Sequence, residues 1–138
     1  MFRKILITAV AIISIIILNP AVVVRASEVT PEATYLISVY NTSLKIAPND
    51  TFVIEGRTQT YTVVEKVSVT VYLQVWNGTQ WKDIKSWSSV KDNDNLAYIN
   101  VNIGGMPKGH YYRTRSVHSA TLNNYTETLS SYSGSCFY

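Results

Sequence analysis

From residue 66 to 76 every second position holds an aliphatic: Val67, Val69, Val71, Leu73 and Val75. Lys66, Ser68, Thr70, Tyr72, Gln74 and Trp76 stand between them. Successive side chains of a strand point to opposite faces, so this period puts the five aliphatics on one face and the polar and aromatic residues on the other. A helix would scatter the same aliphatics around its circumference. A one-residue slip would expose all five, so the register is as firmly specified as the strand.

Asn77-Gly78 follows at once. Asn and Gly tolerate the positive φ that both central residues of a two-residue type I′ turn require, which predicts a hairpin of 66–76 with 81–89. On the second arm Trp81, Asp83, Lys85 and Trp87 alternate with Lys82, Ile84, Ser86 and Ser88. Further strands are predicted at 35–40, 51–57, 96–103, 110–119 and 125–133. Turns are predicted at 47–50, at Gly104 to Gly109 and at Asn123-Asn124, with a polar connection at 91–95. Residues 41–46 change alternation phase, which predicts a bulge or a switch between sheets. Seven short strands without a helical period predict an all-β, seven-stranded antiparallel β-sandwich over 34–138, with a closed barrel as the alternative.

The N-terminus has a different character. Arg3 and Lys4 precede an almost wholly apolar run from Ile5 to Leu18, which Asn19-Pro20 breaks. Val24-Arg25-Ala26 then offers small residues at positions −3 and −1 of a cleavage site. This is the pattern of a signal peptide over 1–26, so the protein is expected to be secreted and extracellular, with a flexible tail over 27–33. An uncleaved anchor is the alternative, since a span needs roughly 20 apolar residues. Asn19-Pro20 and Arg25 favour cleavage, and no Cys follows the site to carry a lipid. Removing 26 of the 138 residues leaves 112, the size of one domain. Arg3, Lys4 and Arg25 leave with the leader, so the 12 basic residues fall to nine, matching the nine acidic ones. A neutral chain without a Lys/Arg cluster gives no support for a nucleic-acid partner or, after cleavage, for membrane binding. Cys136 is the single cysteine, so no disulfide can form within the chain. It stays a thiol or links two chains as a Cys136-linked dimer.

The run Gly109-His110-Tyr111-Tyr112-Arg113-Thr114-Arg115-Ser116-Val117-His118, then Asn123-Asn124-Tyr125-Thr126-Glu127-Thr128, resembles the last two strands of fibronectin type III-like and immunoglobulin-like domains. The resemblance implies that Met106-Pro107-Lys108-Gly109 is the preceding turn and that Tyr112 is the tyrosine-corner residue, its hydroxyl bonded back to the backbone. Thr114 and Ser116 depart from it, standing where such domains carry aliphatics; in the other phase Tyr111 would face inward. The mature chain is also similar to a family of short exported β-domain proteins of Gram-positive bacteria, through residues 73–81 and 109–118. That resemblance implies secretion and a β fold, and no activity.

Aromatic residues are the most suggestive group for function: ten Tyr, three Trp and three Phe. Tyr72 and Trp76 share the face opposite the aliphatics, and Trp81 and Trp87 lie on the neighbouring arm. Exposed Trp and Tyr on a sheet make platforms for sugar rings; cross-strand pairing alone would stabilise the sheet by about 0.2–1 kcal/mol per pair. Arg113 and Arg115 leave one strand in the same direction and can clamp a carboxylate or stack on rings, or pair with Glu127 or another acid on a solvated face. His118 shares a phase with Tyr112 and is expected inside, neutral, bonded to a backbone carbonyl. Two His and one Cys are too few for a zinc site, and the Asp/Asn-rich 91–95 lacks the Gly and distant Glu of a calcium loop, so no metal or other cofactor is expected. No Gly-x-Ser-x-Gly, His-Glu-x-x-His or phosphate loop occurs, and pairing Cys136 with His118 would require the chain end to fold back. The expectation is a non-catalytic module that binds an extracellular polysaccharide or protein through Tyr72, Trp76, Trp81, Arg113 and Arg115, with Tyr112, Asn77, Gly78 and His118 structural. A secreted antimicrobial or competition effector and an inhibitor-like protein-binding domain are the alternatives.

Overall fold

The computed structural model describes residues 35–138. The expected signal peptide (1–26) and tail (27–33) lie outside the described residues. Among those described, the chain is all-β with no helix. Its strands are β1 (Ile37–Ala47), β2 (Thr51–Trp76), β3 (Trp81–Ile103), β4 (Tyr111–Leu122), β5 (Tyr125–Tyr132) and β6 (Cys136–Phe137). All neighbours are antiparallel.

β2, 26 residues long, organises everything. Its first part, up to Gln59, pairs with β1 on one side and with the end of β3 on the other. Its second part, from Val64, pairs with the start of β3 and with β4. Between Gln59 and Val64 the pairing with β3 loses register, and the sheet curls. The curl brings the two parts of β2 face to face: a Cβ on Gly56 would lie 2.3 Å from Val71 Cγ2. Phe52 and Ile54 come from the first part and Val67, Val69, Val71 and Leu73 from the second, all fully buried. Burying each such side chain is worth about 1.5–3 kcal/mol. Phe52 also meets Tyr112 edge-on, ring centroids 5.1 Å apart.

The seven expected strand segments fall on five strands with different breaks, and β6 adds a sixth. Residues 51–57 and 66–76 share β2, and 81–89 and 96–103 share β3. The polar connection predicted at 91–95 is strand: Lys91, Asp92 and Asp94 pair with Val67, Lys66 and Val64. Polar side chains are compatible with an edge strand, because one side of its ladder already faces water. The irregularity predicted in 41–46 falls earlier, between Ile37 and Val39. Beyond it Thr42, Leu44 and Ile46 keep one inward phase, so β1 runs on to Ala47.

The turn after Trp76 is also different. Trp76 pairs with Trp81, so four residues make the connection, and Gly78 alone has a positive φ, of 100°. Asn77 works through its side chain: Oδ1 accepts the Thr79 N–H at 3.0 Å, the Gln80 N–H at 2.9 Å and the Thr79 hydroxyl at 2.9 Å. An Asn carboxamide that closes a turn this way removes the need for left-handed backbone. The two-residue turn with both φ positive occurs instead at Asn123 and Asn124, at 50° and 64°.

Tyr112 takes the inward position and Tyr111 the outward one. The Tyr112 hydroxyl donates to the Pro107 carbonyl at 2.7 Å. Thr114 and Ser116 are fully buried beside it, and the Thr42 hydroxyl donates to Thr114 Oγ1 at 3.0 Å. β6 was not anticipated. It pairs with Tyr111 and Tyr112 and places Cys136, half-buried, with Sγ 3.7 Å from the Tyr112 carbonyl. Burial pushes the Cys136 thiol upward, away from the reactive thiolate.

Candidate functional site

The outer face of the second half of β2 carries Tyr72, Gln74 and Trp76, with β3 and β4 on either side. Register places Asp83 opposite Gln74 on one side and Arg113 on the other, with Arg115 opposite Tyr72. Trp76 and Trp81 face each other across the hairpin, centroids 5.4 Å apart and planes at 57°. Together with Tyr111 they line an open cleft of about 240 Å³.

Both guanidiniums stack on rings. Arg113 lies 4.4 Å from the Trp81 centroid and 4.9 Å from that of Tyr132, and Arg115 lies 4.2 Å from that of Tyr72. A hydrogen-bonded chain fixes both. Arg113 Nε donates to Gln74 Oε1 at 2.7 Å, Gln74 Nε2 donates to Asp83 Oδ1 at 2.6 Å, and Arg115 Nη2 meets Asp83 Oδ2 at 3.1 Å. Gln74 is buried under this chain, so the arginines are anchored from below. The arrangement is a rigid ladder of π faces and cations, suited to flat or ring-shaped groups that present C–H faces and polar edges.

The structure thus gathers Tyr72, Trp76, Trp81, Arg113 and Arg115 on one face. Trp87 is not among them. Between Leu73 and Gln74 the pairing with β3 skips a residue, and the extra residue, Ile84, reverses the phase. Trp81 therefore faces outward while Trp87, opposite Val71, packs against the core. The acid that meets Arg115 is Asp83 rather than Glu127. Gln74, Asp83, Tyr111 and Tyr132 escaped the sequence reading. The single alternation phase of Gln74 with Tyr72 and Trp76 was the one signal for the first, and cross-strand register, which only the fold reveals, brings in the rest.

Glu127 is buried and caps the start of β1. Its carboxylate accepts the N–H of Tyr35 at 3.2 Å, of Leu36 at 2.7 Å and of Ile37 at 2.8 Å. His118, fully buried, sits between two hydroxyls: Nδ1 to Thr58 Oγ1 at 2.8 Å and Nε2 to Ser131 Oγ at 2.7 Å. Thr58 gives its own proton to the Ser68 carbonyl at 2.9 Å. It therefore accepts from an Nδ1–H, which leaves Nε2 to accept from Ser131. Both ring nitrogens thus meet side-chain hydroxyls, with the Arg57 backbone also acting on the ring. Burial lowers the His118 pKa to about 4, with the Arg57 backbone offsetting part of the effect.

A pH dependence follows. The unfolded chain takes up the His118 proton below about 6.5, whereas the folded chain resists it until about 4. Between these values the unfolded state binds more protons, so stability falls as pH falls. The expected loss is up to about 3 kcal/mol between pH 7 and pH 4. Urea unfolding at both pH values measures it, and His118→Gln should flatten the slope over that window.

No protein-family model matches the chain, and no curated protein does.

Proposed function

We propose that the chain is an exported, non-catalytic binding domain with a fibronectin type III-like β-sandwich architecture, and that it holds extracellular polysaccharide in the cleft of Trp76, Trp81 and Tyr111. The observation that carries this reading is the pair of indoles, tilted at 57° around an open cleft and anchored by Arg113. Sugar rings present C–H faces to aromatic planes and hydroxyls to flanking cations and amides, and this face offers both. The inward Tyr112 with its bond to Pro107 supports the architecture.

Sedimentation with purified cell wall and a panel of insoluble polysaccharides tests the reading. The folded mature protein should be retained saturably, with competition by soluble sugar. Trp81→Ala should weaken retention about tenfold or more, the scale of a buried aromatic anchor. Tyr61→Ala, at an exposed side chain outside the cleft, should leave it unchanged. Retention unaffected by Trp81→Ala in a folded variant, or absent for the wild type on every polymer, would overturn the proposal.

A further inference from the structure

The outer face of the other part of the sheet carries a second cleft, of about 300 Å³, lined by Asn41, Ser43, Lys45, Glu55, Arg57 and Tyr98. Three strands converge to make it. Register sets Asn41 and Tyr98 on either side of Arg57, and Ser43 beside Glu55. The residues between them, Leu44, Ile54 and Ile99 included, turn toward the core. This cleft therefore lies across the core from Trp76 and Trp81.

Its groups are specific. Glu55 Oε2 accepts from the Ser43 hydroxyl and Oε1 from the Tyr98 hydroxyl, each at 3.1 Å. This fixes the carboxylate and leaves it acceptor capacity for further donors. Arg57 holds Gln59 through Nη2, while its Nε is sealed from solvent and meets no acceptor among the described residues. An unmet buried donor costs about 1–3 kcal/mol, or more for a charged group. A ligand oxygen that drew the guanidinium round would recover that bond. Lys45 and Arg57 against Glu55 leave one net positive charge. A ligand ammonium would meet two cations for one carboxylate, so an anion with hydroxyl donors fits better than an amine. A volume at the lower end of the roughly 300–1,000 Å³ range of ligand pockets suits one ring rather than a chain.

We propose that this cleft binds a single sugar acid of the hexuronic type. The carboxylate is held by Lys45 and Arg57, the hydroxyls donate to Glu55 and to the Asn41 amide oxygen, and the ring lies against Tyr98. The proposal is independent of the Trp76–Trp81 cleft.

Amide-resolved NMR titration of the folded protein with glucuronate, glucose, acetate and inorganic phosphate tests it. Glucuronate should shift residues 41–45, 55–57 and 98 saturably, and the other three should bind at least about tenfold more weakly, because a charge-assisted bond or the hydroxyl contacts are lost. Arg57→Gln should weaken glucuronate by a similar factor and Trp81→Ala should not. Lys45→Gln, at an exposed side chain, repeats the test with little risk to the fold. No saturable shift in the wild type, phosphate or glucose binding as tightly as glucuronate, or full affinity in Lys45→Gln would each overturn the proposal.

Discussion

Replacing Gly56 by alanine should destabilise the protein by about 2 kcal/mol, and replacing it by valine should abolish the folded state. The new methyl would stand 2.3 Å from Val71 Cγ2 and 3.2 Å from Val69 Cγ2. Both neighbours are fully buried on the facing part of the same strand, so neither can swing into solvent. Overpacking a core of this kind costs about 1–3 kcal/mol for a modest excess of volume, and valine adds two carbons more. Gly56 is thus needed for closeness rather than for backbone freedom. Chemical denaturation of Gly56→Ala, alone and with Val71→Ala, separates this account from a general loss of strand propensity. If the contact is the cause, the double variant should lose less than the sum of the two single losses. Simple additivity would remove steric contact as the explanation.

The second large effect is expected at Glu127. Glu127→Ala should cost about 3 kcal/mol and release the chain around Tyr35 from the end of the sheet. Three backbone N–H groups lose a charged acceptor, and Ile37, fully buried, cannot turn its own to water. Bonds to charged groups are worth about 1.5–3 kcal/mol each, and a stranded donor adds its desolvation penalty; local movement at Tyr35 and Leu36 recovers part of this. Hydrogen exchange should show lost protection at residues 35–37 before any change near Val69. Protection at Ile37 equal to wild type would show that the cap is dispensable. Glu127→Gln keeps the shape and one acceptor oxygen, so its loss should be intermediate.

These sites show where the sequence was legible. Val67 through Val75 announced their strand, register and buried face, because period-two alternation is a local property. On β4 alternation alone left the inward position open between Tyr111 and Tyr112, and the phase of His118 with it. Three features were hidden. The continuity of β2 and β3 through the curl was masked by the polar residues at 91–95, whose composition suits an edge strand as well as a loop. The bulge at Ile84 parts Trp81 from Trp87, although their alternation with Asp83 and Lys85 reads as one phase. The second cleft joins Asn41, Glu55 and Tyr98, residues of ordinary type that nothing in the linear order connects; their meeting is a product of register between three strands. Glu127 was seen as a counter-ion for arginine, since its role depends on where the chain around Tyr35 returns.

The span of β2 has a consequence for how the molecule opens. β1, β3 and β4 all hydrogen-bond to it, so removing β2 leaves only β4 with β5 and β6 paired. Neither cleft rests on a sheet of its own. Pairs such as Val69 with His118 must meet across a long stretch of chain, and topologies built on such pairings fold in milliseconds to seconds rather than microseconds. The slowness has a counterpart after folding. With only that remnant to retreat to, both clefts share one opening event, and the deepest amides on either side of the core exchange with solvent at a common rate.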